Sequence, residues 1–98
     1  MITDAPLSGQ LSRDLTIVNK RGLHARASAR FVQTAEQYDA EITVTKDGST
    51  VDGTSIMGLM MLAAAPGSVI TVAARGPDAV PALDAIAELV AGYFGEDG

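Results

Sequence analysis

The chain contains one histidine, and its setting is where chemistry is first sought. His24 lies in Gly22-Leu-His-Ala-Arg26, directly ahead of a helical pattern, with no Ser, Thr, Asp or Asn in the capping position. A helix start leaves about four amide hydrogens without internal partners. Without a capping oxygen, the amides of Ala25, Arg26 and Ala27 stay open to an external anion such as phosphate. Arg26 adds a planar, permanently charged fork that fits phosphate oxygens, and Gly22 lets the backbone turn sharply and come close. Lys20, Arg21, Arg26 and Arg30 bring four of the seven cations to this one stretch of a chain whose formal net charge is -5. The positive end of a helix also favours a neutral, nucleophilic ring. From the residues alone two readings stand: an ordinary surface histidine among solvated cations, or an anion site with a nucleophile beside it.

A second candidate is Thr54-Ser-Ile-Met-Gly58. Ser55 is placed to cap a helix with its hydroxyl, and it is equally placed to accept a phosphate, because negative charge is favourable at a helix N-terminus. Such a phosphate would act on partners, by repelling an acidic surface brought to the neighbouring apolar side chains. Met57 and Met61 fall off the inward face of this helix and, with Leu23, are expected to form an exposed docking patch, for which flexible thioethers are suited. Met60 is assigned to the core. Asp47, Asp52, Asp84 and Glu88 show no paired-carboxylate or metal-ligand spacing, so turn and solvent-face roles suffice for them.

The elements that must position these residues follow from periodicity. Leu11 to Val18 alternates as a half-buried strand, and Asn19-Lys-Arg-Gly22 breaks it. Ala25 to Tyr38 is an amphipathic helix, with Ala25, Ser28, Ala29, Val32 and Ala35 on one face and Phe31 and Tyr38 flanking it. Glu41 to Lys46 and Ser49 to Asp52 are strands joined by Asp47-Gly48, a strong signal for a two-residue hairpin turn, and the register sets Val44 against Val51 and Thr45 against Thr50. Ser55 opens a short helix in which Ile56, Leu59, Met60 and Ala63 share a face, closed by Pro66-Gly67. Val69 to Arg75 is a fourth strand. A last helix follows, capped by Asp78, with Pro81 in its first turn and Val80, Leu83, Ala87 and Val90 inward, a stripe that Ile86 and Leu89 broaden. The order is βαββαβα, an α+β two-layer sandwich with four strands in one layer and three helices in the other.

Composition narrows the classes further. Ninety-eight residues, 47% hydrophobic and 19% charged, suit a single globular domain over residues 11–98, preceded by a loose tail over residues 1–10. The acidic balance argues against non-specific nucleic-acid binding. With no cysteine and one histidine, disulfides, iron–sulfur clusters, thiol catalysis and the common zinc sites are ruled out, so no metal and no cofactor are expected. No apolar run approaches a spanning helix, and the N-terminus lacks a signal-peptide pattern, which makes the cytoplasm the expected location and a membrane an unexpected partner.

Asn19-Lys-Arg-Gly-Leu-His-Ala-Arg26, followed 28 residues later by Thr54-Ser-Ile-Met-Gly-Leu-Met-Met-Leu62, resembles the HPr family, the histidine-containing phosphocarriers of the bacterial phosphotransferase system. The likeness runs from about Leu11 to Val90. It implies an open-faced sandwich whose four-stranded antiparallel sheet carries three helices on one face. It further implies that His24 takes a phosphoryl group from phosphoenolpyruvate by way of enzyme I and passes it to a histidine of a IIA domain. Arg26 would stabilise the phosphate, with Ala25, Arg26 and Ala27 around it. Ser55 would be the target of a serine kinase and phosphorylase, and Leu23, Arg30, Met57 and Met61 would meet partners. The carrier would act as a monomer, in sugar uptake or in a regulatory nitrogen and carbon branch. The family usually has proline after the arginine, where this chain has Ala27, so a looser helix start is expected. Two other classes are compatible with the size and layers: a regulatory binding module of the same fold, and a small hydrolase of acylphosphatase type.

Overall fold

The structure, a computed structural model, describes residues 10–96. The expected tail therefore lies outside the described residues, except for Gln10. The elements are β1 (Leu11–Thr16), α1 (Ala25–Ala35), β2 (Glu41–Lys46), β3 (Ser49–Asp52), α2 (Ile56–Met61), β4 (Val69–Arg75) and α3 (Ala79–Ala91), followed by a 3-10 turn at Tyr93–Gly95. The strands form one antiparallel sheet in the order β1-β4-β2-β3. This is the four-stranded, three-helix α+β arrangement that the periodicity and the family resemblance imply.

Local chemistry explains the turns. Asp47 and Gly48 both take positive φ, 50° and 83°, which gives the hairpin the twist of its strands. Val44 pairs with Val51 and Thr45 with Thr50, as expected, and the two threonine hydroxyls hydrogen-bond at 2.7 Å. Ile42, Val44, Ile70, Val72 and Ala74 from the sheet meet Phe31, Leu59, Leu83 and Ile86 from the helices, all at most 4% exposed.

Several expectations need correction. β1 ends at Thr16 rather than Val18, although Ile17 still exchanges backbone hydrogen bonds with Ser68 and Gly67. α1 ends at Ala35, because its last turns tighten and the chain then bonds to the start of α3. There the Asp78 carboxylate accepts from the Asp39 amide at 2.8 Å and makes no cap of its own helix. The inward stripe of α3 is Ala79, Ala82, Leu83, Ile86 and Val90, while Val80 is 53% exposed. Small alanines, which carry little hydrophobic weight, mark the true face, and the larger Val80 misdirects the reading. α2 is a single short segment with only Leu59 buried, so Ile56 and Met60, assigned inward, are exposed.

The turn into α1 sets the site. Gly22 has φ 62°, and a Cβ there would collide with the carbonyl oxygen of Ala64. That carbonyl accepts from the Leu23 amide at 2.9 Å, which pins the loop to the segment after α2. Gly22→Ala is expected to destabilise the fold by about 2–4 kcal/mol, the sum of a left-handed backbone and an overpacked contact, measured by urea denaturation.

Candidate functional site at the start of α1

Because Gly22 reverses the chain, Leu23 enters the core at 4% exposure and His24 is left on the outer side. Leu23 is thus no part of an exposed patch, which corrects the expectation from sequence. Its carbonyl accepts from the buried Ser28 hydroxyl at 3.2 Å, which ties the loop to α1 from within. His24 is the N-cap residue, with φ -78° and ψ -177°, and gives no side-chain cap. The first helical hydrogen bond is Ser28 N–H to the His24 carbonyl at 2.9 Å. Among the described residues, the amides of Ala25, Arg26 and Ala27 have no hydrogen-bond acceptor. α1 starts at Ala25 without proline's help, and Ala27 is fully buried against the core.

The ring itself is engaged by a residue that sequence reasoning missed. His24 Nε2 lies 2.7 Å from Glu96 Oε2, with side-chain exposures of 23% and 14%. The other carboxylate oxygen accepts from Asn19 Nδ2 at 3.1 Å, and the same Nδ2 donates to the Gly22 carbonyl at 2.9 Å. Both partners are acceptors, so the amide nitrogen of Asn19 must face them. Its Oδ1 is buried without a partner among the described residues. Burial alone would push the Glu96 carboxyl up, but hydrogen bonds from Asn19 and His24 and the charges of His24 and Arg26 outweigh it and hold the group below the ordinary range.

Glu96 reaches the ring because the chain after α3 turns back. Tyr93, Phe94 and Gly95 have φ of 63°, 54° and 78° in succession. Each non-glycine residue in that region costs about 1–2 kcal/mol, which the complete burial of Phe94 offsets by about 2–3 kcal/mol. Arg30 Nη1 donates to the Phe94 carbonyl at 2.8 Å, and a Cβ on Gly95 would collide with that guanidinium. Arg30 therefore has a structural partner as well as the docking role expected of it. The only cue in the sequence is a phenylalanine and a glutamate beyond Gly92, after the helical pattern has ended.

Ser55 lies at the start of α2, where its hydroxyl accepts from the Gly58 amide at 2.9 Å, as read from sequence. Thr54 just before it donates its amide and hydroxyl to Asp52, and those bonds hold the Asp52 carboxyl low. Met57 and Met61 are 73% and 78% exposed. α1 packs against α2, so the His24 loop and the methionines belong to one pair of neighbouring helices. Among the described residues no group of acidic or histidine side chains is arranged to hold a metal, and no helix is long and apolar enough to cross a membrane.

The Glu96 contacts carry a pH signature. Its folded-state value lies below the unfolded one, about 4.3, so its stabilisation is complete above that value and is lost as pH falls through the lower, folded-state value. Glu96→Gln is expected to lower stability by about 1 kcal/mol at pH 7, with the difference from the parent closing in acid, as read by urea denaturation across pH.

Comparison with known proteins shows the family to which the chain belongs. Residues 11–92 match the family described as the PTS HPr component phosphorylation site. The phosphocarrier protein HPr of Neisseria meningitidis serogroup A is 55% identical over 86 residues, covering 88% of this chain and 97% of that protein. That of Cupriavidus necator is 50% identical over 86 residues, again 88% and 97%. The crystal structure of HPr-C-His from Thermoanaerobacter tengcongensis superposes with a TM-score of 0.86 at 41% identity, covering 90% of this chain and 99% of that one. A histidine at an uncapped helix end, on this fold and with this sequence likeness, places the chain in the HPr family of phosphocarrier proteins of the phosphotransferase system.

Proposed function

We propose that this protein accepts a phosphoryl group on His24 from phosphorylated enzyme I and delivers it to a histidine of a IIA domain. The observation that carries this reading is His24 at the start of α1 beside three amides without acceptors among the described residues. The imidazole lone pair attacks phosphorus as the bond to the donor's histidine nitrogen breaks, and that nitrogen leaves with the bonding electrons. Delivery is the same step in reverse, with His24 as leaving group. Phosphoryl transfer is governed by positioning and by stabilising the charge on the peripheral oxygens. The amides of Ala25, Arg26 and Ala27 supply fixed donors for those oxygens, and the exposed Arg26 supplies the mobile cation. A rim site serves a carrier, because donor and acceptor must each reach the same phosphorus.

Met57 and Met61, exposed on the helix that packs against α1, are the side chains that both partners would cover. Ser55 sits at the head of that helix, so a phosphate placed on it by a serine kinase would leave the helix intact and put two negative charges into the docking surface.

Incubation with radiolabelled phosphoenolpyruvate and enzyme I tests the reading. The parent protein is expected to take label on the ring and His24→Ala to take none; label retained by His24→Ala would refute it. Arg26→Ala is expected to slow labelling by about 100-fold, the usual loss for one charge-stabilising donor. Ser55→Asp is expected to keep its helical content by circular dichroism while labelling more slowly, with a raised half-saturating concentration of the protein.

A further inference from the structure

We propose that Met57 and Met61 are a site of reversible oxidation, at which a peroxide converts two exposed thioethers to sulfoxides and so weakens the docking of partners on α2. This rests on the docking role given above to that face and adds how the face is regulated. The chain has four methionines and no cysteine, so thioethers are the side chains in it that a two-electron oxidant attacks most readily. Three of the four, Met57, Met60 and Met61, lie within the six residues of α2. Met57 and Met61 are 73% and 78% exposed and stand about one turn apart, whereas Met60 is 42% exposed. Oxidation follows exposure, so the two outer sulfurs react first.

The co-reactant is a peroxide. A sulfur lone pair attacks one peroxide oxygen, the O–O bond breaks, and the departing hydroxide takes the proton from the oxygen now on sulfur and leaves as water. Sulfur is oxidised by two electrons and the peroxide is reduced by two. A dithiol acting through a methionine sulfoxide reductase reverses the step, removing the oxygen as water and becoming a disulfide. The fold decides where the effect falls. In α2 only Leu59 is buried, and the Ser55 hydroxyl caps the helix by accepting from the Gly58 amide at 2.9 Å, so the sulfoxides leave both core and cap in place. What changes is the surface. A flexible apolar side chain becomes a strongly polar one, and covering it costs desolvation that the thioether did not carry. A phosphate on Ser55 would act on the same face through its charge, whereas a sulfoxide is neutral and acts at any ionic strength.

The test treats the full-length protein with hydrogen peroxide, maps its peptides for the gain of one oxygen, and then measures label received from phosphorylated enzyme I at increasing concentration of this protein. Met57 and Met61 are expected to gain oxygen before Met60, with helical content by circular dichroism unchanged. The half-saturating concentration is expected to rise about tenfold, the equivalent of one apolar side chain lost from an interface, with the maximal rate unchanged. That rise is expected to be the same at low and high salt, and methionine sulfoxide reductases with dithiothreitol are expected to reverse it. The double variant Met57→Leu/Met61→Leu is compared with its own untreated sample, and peroxide is expected to leave its half-saturation where it was. Oxidation confined to other residues, a parent-like half-saturation with both sulfoxides present, a loss of helical content, a rise that disappears at high salt, or an equal rise in the double variant overturns the proposal. Absence of label from the untreated parent overturns the carrier reading instead, and calorimetric titration of enzyme I with treated and untreated protein then decides whether the sulfoxides weaken docking.

Discussion

The site depends on a helix that begins without a side-chain cap. Most helix ends satisfy their first amides with a nearby hydroxyl or carboxylate, as Ser55 does for α2. At α1 the corresponding position is held by an imidazole, which makes no side-chain cap and meets Glu96 instead. Unpaired amides at a helix start normally cost little because water serves them. Here the same amides are the ones proposed to hold the phosphate, and a stronger local cap at residue 24 would stabilise α1 while occupying them. The fold supports the open end by other means: Gly22 against Ala64, Leu23 in the core and Ser28 bonded back to the loop.

Much of this was legible in the residues. The hairpin register, the start of α1, the Ser55 cap and the fourth strand follow from alternation, from Asp47-Gly48 and from the order of polar and apolar positions. What misled the reading was weight given to size. Val80 and Met60 are large and apolar yet exposed, while Ala79 and Ala82 define the buried face of α3. Leu23 is buried for a different reason: its place is decided by the left-handed Gly22, and no hydrophobic period covers a single residue in a loop.

The Glu96 contact was not legible at all. It joins residues 72 apart, through a turn whose conformation no repeat announces. Asn19 was visible only as a strand breaker, although it is completely buried and links the loop before α1 to that carboxylate. Sequence distance groups Arg30 with the cations around His24, whereas in the fold it holds the Phe94 carbonyl. Contacts of this kind depend on which distant segments the core brings together, and patterning speaks only to each segment separately.

The strand order carries an implication for how the chain reaches this state. β4, the second last of the regular elements, lies between β1 and β2, which do not pair with each other. Until residues 69–75 arrive, only the β2–β3 hairpin has a partner strand, and the first strand has nothing to pair with. Sheet formation is therefore non-local and nearly all-or-none, with a slow loop-closure step ahead of any gain. A nascent chain still lacking its last thirty or so residues would hold the histidine loop and α1 in sequence, yet have no platform on which to assemble them.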